Sequence, residues 1–336
     1  MFRVRLGSLP TDPQAFRRVT LVSLAANVVI VITGGVVRLT DSGLGCPTWP
    51  RCTGASYVTT PAAGYHGIIE FGNRSLTYVL VALAAGALLL ARRPGNRTRR
   101  RVRYAWLSLA TIPVQAVVGG LTVLTHLNPW VVSAHFLLSM AVIAVTYALY
   151  AAAVSPDGPR RPVVAAPLRG LAWTVLGTSL AVLAAGTVVT GSGPHAGDHG
   201  ARRTGLDAGT VAQLHTDAVM LLVGLSLALW FALRGANAPH RAVRAAAVLV
   251  GVELAQGVIG FVQYFTHVPA LLVGLHMAGA CAVWLATLAI FPALSATVGA
   301  APDPLQPHGD RVREPAGGPE REAEVQGRLG QLQLKQ

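Results

Sequence analysis

The residues able to do chemistry are few and lie in apolar surroundings. His135, His215 and His276 each sit a few positions inside a long apolar run. Glu70 falls in Tyr65-His66-Gly67-Ile68-Ile69-Glu70-Phe71-Gly72-Asn73-Arg74. Ionisable groups within membrane-length runs are costly, and are functional candidates by default. Two imidazoles on facing helices at matched depth form a bis-imidazole clamp, which is the ligand set of a six-coordinate b-type heme iron. The competing reading is that the histidines satisfy helix–helix hydrogen bonds, and recurrence at matched depth argues against it. His66, Glu70 and Asn73 are spaced i, i+4, i+7 and share one helix face. Glu70 could pair with Arg74 as a simple ion pair. Its place on the same face as candidate ligands favours a catalytic carboxylate.

Cys46 and Cys52 lie in Ser42-Gly-Leu-Gly-Cys46-Pro-Thr-Trp-Pro-Arg-Cys52. This loop is predicted on the oxidising side of a membrane, where a disulfide is permitted and is favoured over two free thiols. Its role, structural or redox-active by exchange with a thiol carrier, stays open. A zinc site would need two further ligands that the loop does not supply. Cys281, inside the last apolar run, reads as packing.

These side chains need elements to position them, and composition says which. The chain has 336 residues, 52% hydrophobic and only 12% charged, against about 25% charged in soluble domains. That excludes a soluble globule, and three cysteines exclude a disulfide scaffold. Runs long enough to cross ~30 Å of hydrocarbon fall at 19–38, 66–91, 104–125, 130–154, 168–190, 209–233, 242–265 and 270–296. The fold class is therefore all-α integral membrane, with eight transmembrane helices. The first run is not read as a cleaved signal peptide, because no A-x-A-like site follows it.

The net charge of +13 does not indicate nucleic acid, because the arginines bunch between the runs instead of striping a helix face. Arg3, Arg5, Arg17 and Arg18 precede the first run, seven arginines from Arg92 to Arg103 separate the second and third, and Arg160, Arg161, Arg169, Arg234, Arg241 and Arg244 fill the other loops on that side. The opposite loops hold only Arg38, Arg51, Arg202 and Arg203. Both termini are thus predicted to be cytoplasmic, in a cell membrane. All three buried histidines then lie near the outer face, His135 and His276 roughly 8 Å below its edge at ~1.5 Å rise per residue.

The chain also repeats itself. Gln115-Ala-Val-Val-Gly119 recurs as Gln256-Gly-Val-Ile-Gly260, Thr125-His126 as Thr266-His267, and His135 as His276, all at one offset of 141 residues. Gly35-Val-Val-Arg-Leu-Thr-Asp-Ser-Gly43 has a weaker echo in Gly186-Thr-Val-Val-Thr-Gly-Ser-Gly193. Two four-helix bundles with the same orientation are related by a pseudo-twofold along the membrane normal, a parallel repeat. The organisation expected is a cytoplasmic segment 1–18, an N-terminal bundle 19–154, a linker 155–167, a C-terminal bundle 168–296 and a disordered cytoplasmic tail 297–336. His126 and His267 fall at span ends and read as structural. His195 and His199 read as solvated outer-loop residues, and His240 and His308 as solvated cytoplasmic ones. Asp217 and Glu253 are structural or proton-handling candidates.

Gly34-Gly35-Val36-Val37-Arg38-Leu39-Thr40-Asp41-Ser42-Gly43-Leu44-Gly45-Cys46-Pro47, with Trp49-Pro50 and Cys52, resembles the first-loop signature of bacterial heme A synthases. Gln115-x-x-x-Gly119-Gly120-Leu121-Thr122-Val123 and the histidines of spans 4, 6 and 8 resemble that family too, so that the likeness covers about residues 17–296. The resemblance implies two four-helix bundles related by a pseudo-twofold, each with an outward heme pocket. It implies a resident heme b between His215 and His276, and the substrate heme O in the N-terminal half with His135 as axial ligand. The family oxidises the ring-8 methyl of heme O to a formyl group by two hydroxylations, the diol then losing water. The resemblance implies that the carboxylate matching Glu70 is essential, stabilising positive charge or moving a proton at the reacting methyl, and the loop pair matches Cys46 and Cys52. Where many members read Glu-x-x-His-Arg, this chain has Glu70-Phe-Gly-Asn73-Arg74. Asparagine is a poor iron ligand, which leaves His135 as the single axial ligand, with Asn73 and Arg74 beside it and His66 as the alternative second ligand. His66 lies two turns from Asn73, about 10 Å along the axis, so it could serve only a heme nearer the surface. Partners implied are heme O, membrane lipid and the heme O synthase. Two other functions compete. A two-heme electron-transfer cytochrome would explain the repeat and histidines but not the loop signature or Glu70. A transporter would leave the matched histidines unexplained.

Overall fold

The computed structural model describes residues 13–298. Eight long helices run α1 Pro13–Leu39, α2 Gly64–Ala91, α3 Arg99–Leu124, α4 Pro129–Val154, α5 Ala166–Ser192, α6 Ala208–Gly235, α7 His240–Phe265 and α8 Ala270–Ala293. All eight are long and apolar enough to cross a membrane, and they coincide with the eight expected runs. Only 22–39% of the residues in each apolar window are buried inside the protein. The large apolar side chains left outside, such as Leu21, Trp106, Phe231 and Leu271, require hydrocarbon around them. This is a multi-pass membrane protein.

Helix starts follow from local chemistry. The Thr98 hydroxyl accepts from the Arg101 N–H at 3.2 Å, Asn128 Oδ1 accepts from Trp130 N–H at 3.0 Å ahead of Pro129, and Asp207 Oδ1 accepts from Thr210 N–H at 2.8 Å. Each satisfies an amide that the first helical turn leaves without a partner. The Thr210 hydroxyl and amide also hold the exposed Asp207 carboxyl below the usual carboxylate range.

Helices α1 to α4 pack in succession with α1 closing on α4, and α5 to α8 do likewise with α8 closing on α5. Contacts between these groups run through α4 with α5, α1 with α8, and α4 with α8. Phe16, Ala87, Ala105 and Leu149 fill one core, and Leu222, Leu229, Leu249 and Ile290 fill another. A third core, with Met140, Ile143, Leu183, Cys281 and Trp284, lies on the seam. There the Trp284 indole N–H donates to the Met140 carbonyl at 2.9 Å. Cys281 is buried and unpaired, as packing requires.

The two helical hairpins α3–α4 and α7–α8 share local detail. Gln115 Nε2 donates to the His135 carbonyl at 3.0 Å, and Gln256 Nε2 to the His276 carbonyl at 2.7 Å. Each hairpin turns through two consecutive left-handed residues, His126 and Leu127 (φ 53° and 58°) or His267 and Val268 (φ 62° and 60°). His126 and His267 therefore shape turns.

One element is invisible in the hydropathy pattern. Arg160–Pro162 (β1), inside the segment read as a bare linker, pairs antiparallel with Ser295–Thr297 (β2), just beyond α8. The expected start of the tail at 297 thus falls on a paired residue. That tail from residue 299 on, with His308, and residues 1–12 of the expected 1–18 segment lie outside the described residues.

Candidate functional site

His215 and His276 project from α6 and α8 so that their ring centroids lie 6.5 Å apart, with planes crossing at 77°. An imidazole nitrogen sits about 2.0–2.1 Å from a bound metal, and the ring centroid lies roughly 1 Å beyond. Two rings sharing one metal ion are therefore about 6–6.5 Å apart, so the pair has the span of a two-imidazole clamp. The Nδ1 atoms of His215 and His276 are both buried without a hydrogen-bond partner. Among the described residues no group of three or more His, Cys, Asp or Glu side chains converges. Two imidazoles at this span are a donor set that fits a heme iron, which brings the rest of its own ligands.

A glycine on the neighbouring helix admits each ring. A Cβ added at Gly186 would stand 3.2 Å from His215 Cε1, and one at Gly260 would stand 3.1 Å from His276 Cε1. In the other half a Cβ at Gly119 would lie 2.9 Å from His135 Cε1, and His135 Nδ1 is likewise buried without a partner. Asn73 Nδ2 would be 3.9 Å from a Cβ at Gly34. Asn73 Oδ1 accepts the Thr33 hydroxyl proton at 2.7 Å. So Gly119–His135, Gly186–His215 and Gly260–His276 are three versions of one close arrangement, and Gly34 faces Asn73 across α1 and α2 at ordinary contact distance. Gly186 is matched by Gly34, one position before the Gly35 at which the sequence echo begins.

The face of α2 that carries His66, Glu70 and Asn73 is turned to the end of α1 and the loop after it. His66 Nδ1 lies 3.0 Å from Ser42 Oγ, and its ring packs on Tyr65 with centroids 3.9 Å apart. Glu70 is 5% exposed. Its Oε2 accepts the Cys46 N–H at 2.7 Å, and its Oε1 accepts Arg74 Nε at 3.0 Å and Nη2 at 2.5 Å. Arg74 Nη2 also donates to the Cys46 carbonyl at 2.7 Å, and Nη1 to the Thr48 carbonyl at 3.0 Å. The ion pair weighed from sequence is therefore present, and it grips the backbone of the cysteine loop. Cys46 and Cys52 are joined in a disulfide and buried.

Two residues matter to which sequence reasoning gave no role, one in the loop and one at the end of α1. A Cβ at Gly120 would stand 2.4 Å from the Trp49 ring, so Trp49 lies flat on α3 one residue from the glycine that backs His135. A bulky apolar residue between two prolines in a polar loop was the available signal. Arg38, at the end of α1, donates from Nε to the His195 carbonyl at 2.5 Å and from Nη2 to the Thr190 carbonyl at 2.6 Å. His195, read as solvated, hydrogen-bonds the Val268 carbonyl at 3.0 Å through Nε2. Asp217 is exposed and accepts from Gln213 Nε2 at 2.7 Å. Glu253 is buried, with Oε1 accepting from Ser226 at 2.9 Å and Oε2 unpartnered.

Comparison with known proteins places this arrangement. Residues 17–197 match the family COX15-CtaA, described as cytochrome oxidase assembly protein. The chain is 32% identical over 140 residues to the heme A synthase of Geobacillus thermodenitrificans, covering 41% of this chain and 42% of that one. It is 31% identical over 165 residues to the heme A synthase of Exiguobacterium sibiricum, covering 48% and 54%. A protein of Halobacterium salinarum named protoheme IX farnesyltransferase is 29% identical over 116 residues, 34% of this chain and 25% of that one. The chain thus spans about half the length, or less, of the curated relatives it matches.

Proposed function

Since this chain belongs to the COX15-CtaA family of cytochrome oxidase assembly proteins, we propose that it is a heme A synthase, oxidising the ring-8 methyl of heme O to a formyl group. Each of two successive hydroxylations puts one hydroxyl on the methyl carbon and removes two electrons to an oxidant outside the chain. The resulting diol loses one water to leave the formyl group. The observation that carries the reading is the His215–His276 pair, 6.5 Å apart, and its glycine-backed counterpart at His135. His215 and His276 would hold a resident heme b, which when bound supplies one-electron transfer between the site and an outside partner. His135 would hold the iron of the substrate, with Asn73 too weak a donor to complete its coordination and His66 held by Ser42.

The protein's own residues do the rest. Glu70, fixed by Cys46 and Arg74, keeps a negative charge at the edge of the pocket, where it stabilises positive charge or accepts a proton at the reacting methyl. Trp49 covers Gly120 and narrows access of water beside His135. The arginine-rich ends, including both termini, face the cytoplasm, and the heme sites lie toward the outer face. The two four-helix groups are related by a pseudo-twofold along the membrane normal. Heme O arrives from a heme O synthase.

The test is co-expression with a heme O synthase in cells lacking heme A. Heme A should accumulate with this chain present. Accumulation of heme O alone would overturn the proposal.

A further inference from the structure

At the arginine-rich end, α7 and α8 leave an open groove of about 420 Å³. Its walls are Ala245, Val248, Ala286, Ala289 and Pro292, and Arg241 and Arg244 stand at its mouth. Behind it Arg160 Nη2 donates to the carbonyls of Pro292 at 2.8 Å and Ser295 at 3.1 Å. Arg241 Nη2 donates to that same Ser295 carbonyl at 3.1 Å. Two guanidinium groups therefore converge on one neutral oxygen. Arg160 Nε is buried without a partner, and burial, then Arg100 and Arg241, depress the Arg160 pKa below the usual arginine value. The one ion pair of this end among the described residues is Arg101 with Asp157, at 2.9 Å. No described carboxylate neutralises Arg160, Arg241 or Arg244.

Like charges gathered this way are destabilising unless an anion joins them. The groove beside them is apolar and opens on the face of the helix pair, where Val248 is 49% exposed. An amphiphile with an anionic head and a hydrocarbon chain satisfies both halves. An acidic peptide satisfies only the arginines. We propose that the α7–α8 groove binds an anionic phospholipid, its phosphate held by Arg241 and Arg244 with Arg160 behind, its acyl chain along Val248, Ala286 and Ala289. Basic pockets between membrane helices recognise lipid headgroups by this chemistry, and the site is independent of the heme chemistry above.

The test uses the full-length protein in detergent, titrated with phosphatidylglycerol or with phosphatidylcholine of the same chains, with bound lipid counted by native mass spectrometry. Phosphatidylglycerol should be preferred about 10- to 30-fold, and Arg241→Gln with Arg244→Gln should remove that preference. Ala289→Phe, which fills the groove but leaves the arginines, should weaken binding of the same lipid, while Arg51→Gln at the other end should change nothing. Equal binding of both lipids by the wild type overturns the proposal. So does displacement of phosphatidylglycerol by equimolar inorganic phosphate, which would mark a free-anion site. A full-length variant with Asp303, Asp310, Glu314, Glu320, Glu322 and Glu324 changed to Asn or Gln tests the tail as occupant. Lipid binding that appears only in that variant gives the groove to the tail and overturns the proposal.

Discussion

The Cys46 amide donates a 2.7 Å hydrogen bond to Glu70 Oε2, so the first cysteine of the disulfide and the buried carboxylate of α2 are tied directly to each other. Arg74 completes the link by binding the Glu70 carboxylate and the Cys46 carbonyl together. A carboxylate bound this way anchors the loop, and on the proposed function it also holds charge at the reacting methyl. Substitutions that keep one and lose the other separate them.

Glu70→Gln keeps an oxygen for the Cys46 amide but removes the charge. Heme A formed per folded protein should fall about 100-fold or more, as when a general base is lost. Stability should drop by about 1.5–3 kcal/mol through the weakened Arg74 bonds. Heme extraction and thermal unfolding on one preparation read both. Unchanged conversion with lowered stability would leave Glu70 as an anchor only.

The glycines behind the imidazoles are testable separately. An added Cβ at Gly260 falls 3.1 Å from His276, and one at Gly119 falls 2.9 Å from His135. Gly260→Ala should lower heme b content, whereas Gly119→Ala should spare heme b and lower heme A yield. Alanine in place of helical glycine otherwise stabilises by up to about 1 kcal/mol, so losses would report steric displacement. Absorption spectra of the purified variants decide this.

Asn73 faces Gly34 on its neighbouring helix as His215 faces Gly186. Asn73→His should give the N-terminal site a second imidazole and turn its heme from high-spin to low-spin, a change visible by electron paramagnetic resonance. His66→Ala should leave the spin state unchanged, because that ring is engaged with Ser42.

The disulfide closes a short loop, for which chain entropy gives about 2 kcal/mol. Cys46→Ser with Cys52→Ser should lower stability by about that amount without loss of the fold. The Cys46 backbone keeps its bonds to Glu70 and Arg74. Calorimetry of the double variant measures it. Collapse of the fold would show that the disulfide alone orders the loop.

Much of the architecture was legible because membrane burial imposes a long apolar run on every span, and because a repeat with His135 and His276 in register leaves polar marks that apolar drift cannot blur. The local turns at His126 and His267 recur for the same reason. What stayed hidden depends on residues far apart in the chain. Nothing in Arg160–Pro162 announces Ser295–Thr297 as a partner strand. The bond from Cys46 to Glu70 uses a backbone amide, which every residue has and no motif records. Gly34, Gly119, Gly186 and Gly260 read as ordinary helix-packing glycines until the rings they admit are in place. That Asn73 faces Gly34 as His215 faces Gly186 was masked by the change of residue type itself.

The heme content of the purified full-length protein tests the central claim most directly, with His276→Ala and His135→Ala prepared alongside. The wild type should yield heme b together with heme O or heme A, His276→Ala should lose heme b, and His135→Ala should retain it while losing the second heme. A heme-free wild type, or loss of heme b from both variants alike, would contradict it.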